Sequence, residues 1–195
     1  MLVIETEEKL DPRVKRTRQM LEQAFMDVVR EKGFQSVSVQ DIAERAGVNR
    51  ATFYAHFEDK YALLDHSIRL GFRQELEKRT LSACHFSVEN LRALIITVCE
   101  FTSNISGHCN PPQGQFESLI ETQIKSQIYD LLLAWLKDAK AGIPPETAAT
   151  AASWAIYGLA QQWSHNKSRP PAETFADEVL PIVAANLSIE LQGIA

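Results

Sequence analysis

Between Gly47 and Lys60 the chain reads GVNRATFYAHFEDK, and in it Arg50, Thr52, Tyr54 and His56 alternate with Ala51, Phe53, Ala55 and Phe57. With residues set 100° apart on a helix, Phe53 and Phe57 share one face and form its buried side. Ala51 and Ala55 then point directly away from the core. Tyr54 and Arg50 flank them on one side and Thr52 on the other, with His56 behind it. An alanine ridge edged by hydrogen-bonding side chains can lie close against another surface. That is the shape needed to enter a major groove about 12 Å wide. Arg50, Thr52 and Tyr54 could then meet base edges or phosphates, and the N–H groups at the start of a short helix can hold a phosphate oxygen.

Such a segment must be held by neighbours, and the chain before it supplies them. Asp11, Pro12 and Arg13 form a helix start, with Asp as N-cap and Pro at the first helical position. Leu21, Ala24, Phe25, Val28 and Val29 recur at helical spacing until Gly33 stops the run. Ser38 to Asp41, SVQD, is a capping-box variant opening a short helix with Ile42, Ala43 and Ala46 inward. Gly47 ends that helix and Asn49 can cap the next. Ala43, four residues before Gly47, is small enough for two helices to cross closely, and glycine permits the tight turn between them. This is a helix-turn-helix arrangement.

The rest of the chain also reads as helix, with no convincing strand. Asp59 can cap a long helix carrying Leu64, Ile68 and Phe72. After a loop near Cys84, Ser87 opens another helix through Leu91, Leu94, Ile95, Val98 and Thr102. Gly107 to Gly114 is a break, followed by a long helix from about Gln115 to Lys140. Two final helices follow the proline pairs Pro144–Pro145 and Pro170–Pro171, and Pro181 is placed to kink the last.

Composition narrows the function. The 195 residues suffice for a substantial core, and their net charge of −5 is unevenly spread. Arg13 to Arg50 hold eight basic residues and five acidic ones, a local +3 that leaves −8 for the remainder. A basic head on an acidic body suits a local polyanion contact, although a solvated charged helix face gives the same count. No apolar run reaches membrane length, and the acidic start MLVIETEEKL is unlike a signal peptide, so a cytoplasmic protein with no membrane partner is expected. Cys84, Cys99 and Cys109 are too widely spaced for a CxxC pair. His85 and His108 adjoin two of them, which permits a metal or thiol-sensor idea, yet such cysteines are ordinarily small buried side chains. No Gly-rich phosphate loop, HExxH or GxSxG occurs, and Asp65, His66, Glu100 and Glu121 read as solvent-facing on amphipathic helices. Neither an enzyme nor a cofactor or metal site is expected.

From Glu31 to Leu64 the sequence EKGFQSVSVQDIAERAGVNRATFYAHFEDKYALL resembles the DNA-binding signature of the TetR family of bacterial transcriptional regulators. The resemblance rests on Gly33–Phe34, Ser38–Val39, Asp41–Ile42–Ala43, Ala46–Gly47–Val48, Thr52–Phe53–Tyr54, His56–Phe57 and Lys60, in order and without gaps. It implies an all-α fold: a three-helix DNA-binding head over residues 1–60, joined by a long helix to a ligand-binding and dimerisation body over 61–195. It also implies DNA-facing positions for Ser38, Gln40, Arg50, Ala51, Thr52, Tyr54, His56 and Lys60. Asn49 is a further candidate contact, and Lys15 and Arg16 are candidates for phosphate. Ala51 departs from the glycine commonest at that position. A packed helix-end role is the competing reading for Tyr54 and His56, and carries most weight for His56, which lies toward the core side.

For the body, the resemblance implies a homodimer on a palindromic double-stranded operator, formed through the last two helices. Ala148, Ala151, Ala152, Ala155, Gly158 and Leu159 are the interface candidates, with burial inside the subunit as the alternative. It further implies an unidentified small-molecule effector, most simply one that releases a repressor from DNA. Phe101, Phe116, Tyr129, Trp135, Trp154 and Tyr157 are candidate pocket residues that could equally be core. The contrasting function is a DNA-bound adaptor whose body recruits a protein.

Overall fold

The computed structural model describes residues 11–79, 86–108, 114–137 and 143–187, the side chains of 105–108 and 114–117 excepted. Cys84 and Cys109 therefore lie outside the described residues, as does the side chain of Phe116. The described residues form eight α-helices and no strand: α1 Pro12–Lys32, α2 Val39–Ala46, α3 Arg50–Tyr54, α4 Lys60–Arg79, α5 Val88–His108, α6 Gly114–Leu136, α7 Pro145–His165 and α8 Ala172–Asn186. A single 3-10 turn, Phe34–Ser36, lies between α1 and α2. None of the described helices is long and apolar enough to cross a membrane.

The chain divides into two compact units. Among the described residues, one comprises 11–68 with 107–108 and 114–120, the other 69–79, 86–106, 121–137 and 143–187, so the division falls within α4. In the first unit α1 starts as its sequence dictates, with the Asp11 carboxylate accepting the Arg13 N–H at 2.7 Å and Pro at the first turn. Leu21, Ala24, Phe25, Val28 and Val29 are buried, as their spacing requires. Phe34, Val37, Ile42, Ala43, Phe53, Phe57, Leu63, Leu64 and Ile68 complete that core. Two ion pairs add to it between α1 and α2: Lys32 to Asp41 at 2.5 Å, and a two-pronged contact of Arg45 with Glu31 at 2.6 and 2.9 Å.

The second unit is a helical body. Leu91, Leu94, Ile95 and Val98 of α5 are buried, as are Ile124, Ile128, Leu131 and Leu132 of α6. The contributions of α7 and α8 are smaller: Ala149, Ala152, Ile156 and Ala160 from one, Ala176, Val179 and Val183 from the other. These two helices pack on each other. Arg92 of α5 ties α8 down by donating to both carboxylate oxygens of Asp177 at 2.5 and 3.0 Å. Trp163 donates its indole N–H to the Pro170 carbonyl at 2.8 Å, which fixes the α7–α8 connection. α8 continues past Pro181, whose ring is on the exposed side. Cys99 is fully buried in α5, and burial pushes its thiol up to about 12, so it carries no thiolate near neutrality.

Candidate nucleic-acid interface

The turn between α2 and α3 follows directly from sequence. Ser38 and Asp41 form a reciprocal capping box: the Ser38 hydroxyl accepts the Asp41 N–H at 3.1 Å, and Asp41 accepts the Ser38 N–H at 2.9 Å. At the far end Gly47 adopts φ 69° and ψ 29°, the left-handed conformation that other residues resist. Its N–H bonds the Glu44 carbonyl at 3.1 Å and the next N–H, of Val48, bonds the Ala43 carbonyl at 2.9 Å. This paired closure is a Schellman motif, and it ends α2 sharply ahead of α3. Asn49 then caps α3, its side-chain oxygen accepting the Thr52 N–H at 2.7 Å and the Thr52 hydroxyl at 3.0 Å.

α3 turns Phe53 inward and Ala51 outward, and the turn that follows it does the same with Phe57 and Ala55, the two phenylalanine ring centroids lying 6.0 Å apart. Tyr54 is 50% exposed, and Arg50 lies beside it. The guanidinium carbon of Arg50 is 5.9 Å from the Tyr54 ring centroid, and Arg50 donates weakly to the phenol oxygen at 3.4 Å. Arg50, Ala51, Tyr54 and Ala55 thus form one continuous outward ridge. It combines a permanent cation, a donor–acceptor hydroxyl and two methyl groups, a set able to meet phosphate, base edges and a thymine methyl.

The other predicted contacts divide by how they are already engaged. The Ser38 hydroxyl is occupied by the capping box, donating to Asp41 at 2.7 Å as well as accepting. Thr52 directs its hydroxyl proton to Asn49 and retains acceptor capacity. Gln40 is exposed on α2 and donates to Glu44 one turn on. His56 is half-buried rather than outward, and burial, followed by the positive charge of Arg18, holds its imidazole below the ordinary value. Arg16 is exposed and lines an open groove with Gln19, Met20 and Arg45, while Lys15 is half-exposed on the preceding turn.

Lys60 differs most from expectation. Its ammonium is directed into the head, donating to the carbonyls of Phe34, Gln35 and Val37 at 3.1, 3.1 and 2.9 Å. It also sits 4.8 Å from the Phe34 ring centroid and 5.7 Å from that of Tyr61. Burial lowers its proton affinity below the ordinary lysine value.

Two contacts were not legible beforehand. The Arg18 guanidinium stands 5.7 Å over the Phe57 ring, at the end of the α3 turn. His66 of α4, expected at the solvent side, is half-buried against Phe57 and bonded to Glu22 of α1 at 2.7 Å. Both bridge residues some forty positions apart, a distance that no local pattern encodes.

In the body, the predicted pocket residues do not share one environment. Trp135 is buried against Phe86, Tyr157 is buried, Phe101 packs edge-on to Phe72 with centroids 5.5 Å apart, and Tyr129 is half-buried. Trp154 is the exception at 60% exposure, with the Lys125 ammonium 3.3 Å from its ring centroid. The winding of α7 explains this, since residues 151, 154 and 158 fall on its outer face, three and four apart. The predicted interface stripe splits the same way. Ala151 and Gly158 are exposed and Ala155 and Leu159 half-buried, whereas Ala148 and Ala152 are buried in the subunit's own core and have no surface left for a partner.

Comparison with known proteins fits this geometry. Residues 23–66 match the family model described as bacterial regulatory proteins, tetR family. The chain is 31% identical over 104 residues to the uncharacterized HTH-type transcriptional regulator YxbF of Bacillus subtilis (strain 168), a match covering 52% of this chain and 27% of that protein. It is 36% identical over 85 residues to the HTH-type transcriptional regulator BetI of Yersinia pestis (strain Pestoides F), covering 43% of this chain and 42% of that one. The matches therefore span less than half the length of these relatives. Among solved structures, a TetR-family regulator from Streptomyces coelicolor A3 superposes with a TM-score of 0.65 at 17% identity, covering 92% of this chain and 98% of that one. Thermus thermophilus FadR, a repressor solved with lauroyl-CoA, gives 0.57 at 21% identity, covering 91% and 99%. At such identities the structural likeness is one of fold, and it extends over the body as well as the head. Taken together, residues 23–66 match the TetR family across the helix-turn-helix, and the chain shares the all-α fold of solved TetR-family regulators.

Proposed function

We propose that the protein is a dimeric, sequence-specific DNA-binding regulator, acting as a repressor that a small molecule releases from a palindromic operator. The observation that carries this reading is the outward ridge at α3, where Ala51 and Ala55, flanked by the exposed Arg50 and Tyr54, stand opposite the buried Phe53 and Phe57. Arg50 and Tyr54 supply base or phosphate contacts and Ala51 lets the helix approach closely. Gln40, Asn49, Thr52 and the half-buried His56 lie at the margins of the same surface. Lys15 and Arg16 on α1 add phosphate contacts that carry no sequence information.

Dimerisation is assigned to the outer faces of α7 and α8, where Trp154 and Ile182 are 60% and 58% exposed beside Ala151, Gly158 and Ala185. Large apolar side chains left uncovered next to small ones favour close helix packing with a second copy. Two-fold pairing puts the recognition helices in successive major grooves about 34 Å apart. Release by an effector is the simplest control, and the acyl-CoA complex of FadR makes a ligand with an acyl chain a reasonable first probe. To act, the effector must prefer the state that does not bind DNA; equal affinity for both states shifts nothing.

The test is selection of bound fragments from genomic DNA by the full-length protein at low salt, then a screen of small molecules for release. An enriched inverted repeat from which a metabolite displaces the protein is the expected result. An enriched site that no small molecule affects, with a protein retained on the body instead, would favour an adaptor. No enrichment would remove the DNA-binding reading.

A further inference from the structure

The position of Lys60 in the chain gives its three hydrogen bonds a purpose. α2 and α3 together occupy residues 39–54, entered from Val37 and left through the turn to Lys60. The ammonium is bonded to the carbonyls of residues 34, 35 and 37, which are 26, 25 and 23 positions back along the chain. It therefore joins the entrance of the helix-turn-helix to its exit. An ammonium has three protons and no acceptor, and each proton here has a carbonyl within hydrogen-bonding distance. Asp59, the preceding residue, caps α4 by accepting the Tyr61 and Ala62 N–H groups at 2.8 Å each. The base of the motif is thus pinned at both the backbone and the side chain, and the Phe34 and Tyr61 rings enclose the cation.

We propose that Lys60 is a positioning residue: an internal clamp that closes the base of the helix-turn-helix and fixes the α3 ridge for DNA, in place of contacting a phosphate itself. The inference rests on the DNA-binding reading above. A pyramidal ammonium suits three convergent carbonyls, which a planar guanidinium does not reproduce. Closing a chain segment of this length also removes conformations in which α2 and α3 drift together from the head, without adding any contact to the duplex.

Two measurements on the full-length protein test this separately. The first needs no DNA. In the wild-type protein near neutral pH, the Lys60 ammonium should give a slowly exchanging NMR signal, with its ε-methylene displaced by the two rings. A ring-free shift with fast exchange would overturn the clamp. The second compares the salt dependence of operator binding for wild type, Lys60→Met and Lys60→Arg. Lys60→Met should weaken binding about tenfold or more, as for one lost charge-assisted hydrogen bond, with an unchanged salt slope. Lys60→Arg should fail to restore the affinity. A phosphate contact would instead reduce the slope by about 0.9 per site and be restored by arginine, and either result would overturn the proposal. If Lys60→Met does not fold, the wild-type signal and the Lys60→Arg slope still decide. Wild-type protein that binds no DNA, yet shows the protected ammonium, would instead refute the DNA-binding reading.

Discussion

At the scale of single residues, the head separates side chains that hold the motif from those that face outward. Asp41 belongs to the first group. Hydrogen bonds from Lys32 and Ser38, in that order, hold its carboxyl well below the usual carboxylate range. A depressed carboxylate contributes stability above its unfolded value of about 3.9, and that contribution is lost as pH falls toward the folded value. Asp41→Asn should therefore lower the melting temperature at pH 7 and show a shallower loss below pH 4 than wild type. Parallel acid-unfolding curves by circular dichroism would remove the assigned role. Arg50 and Tyr54 belong to the second group, exposed and in contact with each other. Their type and spacing were legible because a helix of known phase leaves few choices. The inward turn of Lys60 was not legible, since its carbonyl partners are brought close only by the folded head.

Among the elements, the short helices depend on their ends more than on their length. α3 has five residues and α2 eight, too few to be stable alone in water. Caps and packing must supply the rest. Gly47 is the most exposed to substitution: open space surrounds the position a Cβ would occupy, so any cost arises from its φ of 69° alone. Gly47→Ala should destabilise the head by about 1–2 kcal/mol, the cost of the left-handed conformation. An unaltered denaturation midpoint would mean that the turn tolerates another geometry. The caps at Asp11, Ser38, Asn49, Asp59 and Ser87 were all readable from sequence, because capping is local chemistry. The break at Gly107 was less well marked: α5 continues to His108 and α6 begins at Gly114. Helical propensity costs at a single glycine were overridden there.

For the whole molecule, α7 is the test of how sequence reading of a small-residue stripe succeeds and fails. Alanine serves both a core and a close interface, so type and spacing cannot tell Ala148 and Ala152, buried in the subunit, from Ala151, exposed on the flank of the same helix. The same ambiguity made Trp154 a candidate for an interior pocket, whereas it stands on the outer face stacked by Lys125. Gly158 sharpens the dimer proposal. A Cβ there meets nothing within 4 Å inside the subunit. Gly158→Leu should therefore leave the subunit folded, or stabilise its helix by up to about 1 kcal/mol, while dissociating the dimer in sedimentation. A dimer that persists would move the interface off this face.

The α3 ridge is tested most directly by the base preferences of wild-type, Arg50→Ala and Tyr54→Ala proteins, selected in parallel from random duplex DNA. Each variant should lose about 1–3 kcal/mol in affinity and relax its preference at the same position in both halves of an inverted repeat, with helical content unchanged. Base preferences and affinities identical to wild type in both variants would contradict the assignment of α3 to the major groove.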